Sequence, residues 1–159
     1  MLSRNHAQAL EAIGGIASRL ASELGLEVVD VVLREAGRRS YLRVDVDRAG
    51  PRGVGIDECR RVSEALGAAL DEAEVMEHSY TLEVSSPGLD RPIRTEDDIR
   101  RNTGRRVVAE TTDPVAGRRS FRGVLLGLDS GEFRLREEDG MEIGIPLAAL
   151  RAVRQDPVF

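Results

Sequence analysis

The chain has 159 residues, of which 41% are hydrophobic and 32% charged, a balance typical of a folded protein rather than a disordered one. Its net charge of −5 does not favour a general nucleic-acid binder, and no apolar run approaches the roughly 20 residues that span a bilayer. The N-terminus shows no signal-peptide pattern, and the lone Cys59 cannot form an internal disulfide, so we expect a cytoplasmic protein of one medium or two small domains.

The first half of the chain alternates between helical and strand periods. Apolar residues at helical spacing, followed by Gly25, predict an opening helix, and β-branched residues with period-two alternation predict strands. The predicted elements are a helix over 3–24, strands over 26–34 and 41–47, a helix over 56–73 and a strand over 80–85. The order α-β-β-α-β predicts two helices on one face of a small sheet.

The second half changes to one short helix and several short strands. Thr95 followed by Asp98 matches a capping box, which predicts a helix that ends near Gly104. The predicted strands cover 105–111, 120–129, 132–137, 141–147 and 151–155. Strands of this number and length predict a small closed barrel. We therefore predict domains over 1–86 and 95–159, joined by a linker over 87–94.

The stretch SSPGLDRPI at this boundary favours a stiff joint over an active-site loop. Pro87 and Gly88 suit the central positions of a type II turn, and Pro92 favours an extended residue before it. No general base lies near the two serines in the sequence. We predict that an Asp–Arg pair forms charge-assisted hydrogen bonds that fix the two domains. The linker motif comprises Ser85, Ser86, Pro87, Gly88, Asp90, Arg91 and Pro92.

Ionisable residues show no catalytic or metal-binding spacing. His6 and His78 stand alone, which predicts surface positions, and Cys59 lies on an apolar helix face, which predicts a buried thiol. Asp45 and Asp47 share one strand face and could hold a hard cation for a hydrolase. Arg43 lies on the same face and instead favours a solvated, self-neutralising surface. We expect no enzyme, no metal and no cofactor.

Charge is divided unevenly along the chain. Residues 1–85 carry ten arginines against fifteen acids, whereas 86–159 carry thirteen of each. Two arginine clusters in the second half could bind RNA phosphates, or could be ordinary solvated loops balanced by nearby acids. The clusters are Arg100, Arg101, Arg105 and Arg106, and Arg118, Arg119 and Arg122. The acidic second helix could attract a basic partner.

The segment Gly50-Pro51-Arg52-Gly53 has the GXXG spacing with which KH domains clamp nucleic acid. It joins a strand to a helix, and Asp57 and Glu58 in the first turn of that helix would repel a phosphate. We interpret it as a plain connecting loop.

Residues 82–93, LEVSSPGLDRPI, resemble the signature of the bacterial RimP family of ribosome maturation factors. The helix sequence over 56–74 resembles the second helix of that family. Arg119, Phe121, Gly123 and Leu125, and the segment IPLAAL over 145–150, also fit its pattern. The resemblance implies an α+β protein in which a KH-like α-β-β-α-β domain precedes an SH3-like β-barrel.

The resemblance also implies a non-enzymatic role in assembling the small (30S) ribosomal subunit. The implied partners are the small-subunit precursor, a basic small-subunit ribosomal protein of the decoding region and 16S rRNA. We expect a monomer that does not contact membranes. The alternative is a free-standing RNA-binding regulator that acts on mRNA.

Overall fold

Residues 4–156 are described by a computed structural model, in which the chain forms an α+β fold of two units. The first unit contains the described residues up to 48 together with 53–87. The second contains 49–52 and the described residues from 88 onward. Among residues 4–156, no helix combines the length and the apolar character needed to cross a membrane.

The first unit has the predicted order α-β-β-α-β. Its elements are α1 (Arg4–Glu23), β1 (Glu27–Ala36), β2 (Arg39–Asp47), α2 (Ile56–Glu72) and β3 (Ser79–Ser85). The sheet order is β1-β2-β3; β1 pairs with β2 antiparallel, and β3 pairs with β2 parallel. Helix α2 therefore forms the crossover that a parallel pair requires.

A single apolar cluster holds the first unit together. Leu42, Val44 and Val46 alternate along β2 and are fully buried, which is the predicted inward face of the strand. They belong to one cluster with Ile13 of α1 and Leu66 of α2. Both helices therefore cover the same face of the sheet, as the sequence predicts.

The second unit contains one short helix and five antiparallel strands. Its elements are α3 (Glu96–Asn102), β4 (Arg106–Val115), β5 (Arg118–Asp129), β6 (Glu132–Arg136), β7 (Glu142–Pro146), a 3₁₀ turn (Leu147–Ala149) and β8 (Leu150–Gln155). The core comprises alternating strand residues around Phe121 and Phe133, both almost fully buried, together with Ile93 and Ile99. All five predicted strands are confirmed.

The prediction of a closed barrel is wrong. The strand order is β7-β6-β5-β4-β8, so among the described residues β7 and β8 are the two edges of an open sheet. The 3₁₀ turn separates these strands, and no ladder joins them. The segment before α3 bonds to β8 instead, since the Ile93 N–H donates to the Val153 carbonyl at 2.8 Å.

Three polar residues predicted at the surface are buried, and these predictions are wrong. His6 is buried with Nδ1 3.4 Å from a Glu35 carboxylate oxygen. Asp45 is buried and accepts hydrogen bonds from Arg43 Nε at 3.0 Å and Ser85 Oγ at 3.1 Å. Asp47 is also buried. Glu35 and Ser85 lie far from His6 and Asp45 in the sequence, so the local pattern could not reveal these contacts.

The turn predicted at Pro87-Gly88 forms further along the chain. The Arg91 N–H donates to the Gly88 carbonyl at 3.0 Å, so Leu89 and Asp90 occupy the central positions. Gly88 does not adopt the positive φ that a type II turn would require there. Ile93 is buried in the core and bonded to β8, and this anchor places the turn just before it.

Gly123 allows a close approach between β5 and β6. A Cβ atom at this position would overlap the backbone carbonyl of Arg136. We expect Gly123→Ala to lower the free energy of unfolding of the second unit by about 1–3 kcal/mol, because the backbones must separate. Gly144→Ala on β7 is the matched control, since its Cβ would meet only the flexible side chains of Glu132 and Arg134. Urea unfolding checks this, and equal stability of the two variants would contradict it.

Candidate functional site

The seven arginines of the two clusters have different environments. Arg101 is buried, Arg105 packs against residues 49–52, and the other five are at least partly exposed. The sequence clusters therefore do not form two uniform basic patches. All seven belong to the second unit.

Arg101 is buried in an ion pair with Asp98. Its Nη2 lies 2.5 Å from Asp98 Oδ1, and the side chains of both residues are 8% exposed. Asp98 also accepts the Arg94 and Thr95 backbone N–H groups at 3.0 and 3.1 Å, which completes the predicted capping box of α3. Arg101 thus stabilises the start of α3 and does not contribute to an exposed binding surface.

These contacts determine the ionisation of Asp98. Burial disfavours the charged form, but hydrogen bonds from the Arg94 and Thr95 backbones, from Arg101 and from the Thr95 hydroxyl together outweigh it. The net result is a pKa for Asp98 below the ordinary value of 3.8. Asp98 is therefore a carboxylate at neutral pH and remains paired with Arg101.

Arg105 holds the segment 49–52, which belongs to the second unit. Its Nε donates to the Gly50 carbonyl at 2.8 Å and its Nη1 to Asn102 Oδ1 at 3.2 Å. The Gly50 N–H donates in turn to the Arg101 carbonyl at 3.0 Å. The GXXG segment is therefore packed through its first residues, and Arg105 is engaged in this packing.

Arg106 and Arg122, one from each sequence cluster, meet at a single carboxylate. Arg122 Nη1 lies 3.1 Å from Asp156 Oδ1, and Arg106 Nη2 lies 3.9 Å from Asp156 Oδ2. Arg106 also pairs with Glu138 at 3.0 Å. These pairs are partly or largely exposed, so each contributes little to stability and its arginine can exchange partners.

Arg154 joins this surface, although the sequence clusters do not include it. In the ladders of β4, Val108 lies opposite Arg122 on β5 and Arg154 on β8, which places these side chains in one row across the sheet. Within residues 4–156, the Arg154 side chain has no hydrogen bond or ion pair. We call Arg106, Val108, Arg122 and Arg154 the arginine face. Only strand pairing reveals Arg154, which stands apart from other arginines except Arg151.

The remaining cluster arginines lie outside the arginine face. Arg100 pairs with Asp97 at 3.2 Å on the exposed side of α3. Arg118 pairs with Glu137 at 2.7 Å, and its guanidinium lies 4.7 Å from the Phe121 ring centroid. Arg119 is exposed, and it has no hydrogen bond or ion pair to any residue the structure describes. Nearby acids therefore partly neutralise Arg100 and Arg118.

A groove of about 490 Å³ lies beside the arginine face, within the second unit. Its apolar lining includes Ile93, Ile99 and Leu150, and its charged lining includes Arg151 and Arg154. Asp90 and Pro92 of the linker motif also line it. The motif residues therefore contribute to a concave surface, while the role of Asp90 and Arg91 as pins remains a prediction.

The first unit has a second groove, of about 440 Å³, between the start of α2 and β3. We call it the edge groove. Its apolar lining comprises Val54, Ile56, Cys59, Leu82 and Val84. Cys59 is buried as predicted, and burial raises the pKa of its thiol, so the reactive thiolate is disfavoured.

Ser85 of the linker motif does not have the geometry of a nucleophile. Ser85 Oγ donates to Asp45, which Arg43 also binds, so this carboxylate is already committed to its ion pair. In the part of the chain with described side chains, His, Cys, Asp and Glu residues form no group of three or more that could hold a metal ion.

Residues 16–90 match the family model described as the RimP N-terminal domain. The match runs from the second half of α1 through β3 into the turn that follows. It covers most of the first unit, including the edge groove and five of the seven residues of the linker motif.

We expect Asp98→Asn to lower the free energy of unfolding by about 3 kcal/mol at neutral pH, because it leaves Arg101 buried without its counter-charge. The pKa of Asp98 is lowered in the folded protein. The stabilisation by its carboxylate is therefore complete above the ordinary carboxyl pKa and is lost as the pH falls through the pKa of the folded state. Unfolding measured at pH 7 and near pH 2 should show the two proteins converging in acid. A constant difference would contradict this assignment. Asp97→Asn, on the exposed pair, is the control.

Proposed function

We propose that the chain, whose residues 16–90 match the RimP N-terminal domain, is a ribosome maturation factor of the RimP family and assists the maturation of the small (30S) ribosomal subunit. The family match over residues 16–90 carries this proposal. The chain would bind small-subunit precursors transiently in the cytoplasm, as a monomer, and would carry out no chemical reaction. Binding energy would shift the precursor toward one arrangement of rRNA and protein.

The arginine face supports contact with 16S rRNA. Guanidinium groups form bidentate hydrogen bonds to phosphates, and exposed ion pairs such as Arg122–Asp156 exchange partners at little cost. Among the described residues, the Arg154 side chain has no hydrogen bond or ion pair that it would have to break. Because Asp156 and Glu138 keep the net charge of the surface low, we propose that the face recognises RNA already shaped by the particle rather than any RNA.

The acidic first half supports contact with a basic ribosomal protein of the decoding region. Residues 1–85 have a net charge of −5, whereas 86–159 are neutral overall. Opposite charge raises the association rate and suppresses partners of the wrong charge. We therefore propose a division of labour in which the first unit binds protein and the second binds rRNA.

The finer architecture that the family implies fits this division. We propose that the first unit is a KH-like domain that does not use its GXXG segment for nucleic acid, since three of the four residues of that segment, 50–52, belong to the second unit. The second unit would be an SH3-like variant whose sheet stays open between β7 and β8. The linker over 87–94 would act as a stiff joint.

Charge reversal on the arginine face tests the rRNA contact. We expect Arg122→Glu with Arg154→Glu to weaken association with precursor particles at least tenfold and to flatten its salt dependence, because about two phosphate contacts are lost. Arg38→Glu, in the exposed β1–β2 turn of the first unit, is the matched control. Co-sedimentation across a range of salt concentrations measures both quantities. Unchanged binding of the folded double variant would contradict the assignment.

The alternative, a regulator acting on free mRNA, predicts a different binding partner. Binding to protein-free RNA as tight as binding to precursor particles, with a steep salt dependence, would favour that alternative. We expect binding to precursor particles and only weak binding to naked RNA, because the arginine face is partly neutralised by its own acids.

A further inference from the structure

Within residues 4–156, no strand pairs with the outer edge of β3. Among the described residues, β3 pairs only with β2 and is the last strand of its sheet. An edge of this kind presents unpaired N–H and C=O groups along the strand, and another extended chain can add to it.

The two edges of this sheet differ in their protection against such pairing. β1, the opposite edge, carries a bulge between Val28 and Asp30, and exposed charges at Asp30, Arg34 and Glu35. Bulges and charges are ordinary means of blocking edge pairing. The seven residues of β3, Ser79–Ser85, pair with β2 in an unbroken register, lack proline and arginine, and include one acid, Glu83. β3 is therefore open to pairing and β1 is not.

The edge groove lies beside this open strand and is lined by apolar side chains. Ile56, at the first position of α2, is 80% exposed, the highest value among the large exposed hydrophobic side chains. Leu82 and Val84 line the groove from β3 itself. An extended segment paired with β3 could place an apolar side chain into the groove against Ile56.

The charges around β3 indicate which kind of extended segment could pair with it. Exposed acids lie where α2 ends and β3 begins, at Glu72, Glu74 and Glu77. The groove lining itself contributes one arginine and one acid, Arg60 and Glu83, which balance each other. A segment running along β3 would therefore meet negative charge at one end of the strand and an apolar groove at the other.

We propose that β3 and the edge groove bind an extended peptide segment of a basic protein, which adds as a strand to the sheet. The segment carries arginine or lysine near the start of β3 and at least one apolar side chain near Ile56. This inference rests on the proposed function, since the basic protein would be one present in small-subunit precursors. It deepens that function by assigning the protein contact to one strand and one groove.

Photo-crosslinking from position 56 tests the assignment. The full chain, with a photo-reactive phenylalanine analogue in place of Ile56, is bound to purified precursor particles and irradiated. We expect a protease-sensitive, RNase-resistant adduct whose crosslinked peptide, identified by mass spectrometry, is rich in lysine and arginine. An adduct with rRNA, an adduct with an acidic or neutral segment, or no adduct would overturn the proposal.

Hydrogen exchange and one neutral substitution provide independent readouts. Amides of β3 should exchange more slowly in the complex, because strand addition occupies its outer edge. Ile56→Ser should raise the dissociation constant about tenfold, the order expected for one buried isoleucine. Met141→Ser, which changes a 65% exposed residue of the second unit, is the control and should bind like the unmodified chain.

These readouts separate the two proposals. If the unmodified chain does not co-sediment with precursor particles, the proposed function falls and this inference falls with it. If it co-sediments while β3 exchanges unchanged and Ile56→Ser binds normally, the inference falls and the proposed function stands.

Discussion

The buried ion pair between Asp98 and Arg101 determines which side chains of the second unit remain available for binding. A carboxylate in the interior needs compensation, and Asp98 obtains it from Arg101, from two backbone N–H groups and from the Thr95 hydroxyl. Asn102 extends this network by donating to the Asp98 carbonyl and accepting from Arg105. Arg101 and Arg105 therefore serve the packing of the second unit, and the proposed contact with rRNA uses the arginines exposed on the strands.

Much of the fold could be predicted from the sequence because the core depends on local periodicity. Leu42, Val44 and Val46 alternate along β2 and are all buried, and Thr95 with Asp98 marks the start of α3. Sheet closure could not be predicted, since it depends on whether β7 and β8 approach each other in space.

Residue environments were harder to predict than elements. Asp45 and His6 are buried and contact residues that are distant in the sequence, Ser85 and Glu35 respectively. Asp97–Arg100 and Asp98–Arg101 have the same spacing, yet only the second pair is buried. Arg154 joins Arg122 through the ladders on either side of Val108, which no linear cluster shows. The candidate site is therefore a product of strand register.

The central claim is that the chain acts in maturation of the small ribosomal subunit, and the subunit profile of cells that lack it tests this most directly. Sucrose gradients of deletion cells, grown in the cold and at ordinary temperature, should show immature small subunits accumulating while large subunits form normally. Re-expression of the chain should restore the profile. Unchanged profiles at both temperatures, or an equal defect in both subunits, would contradict the account.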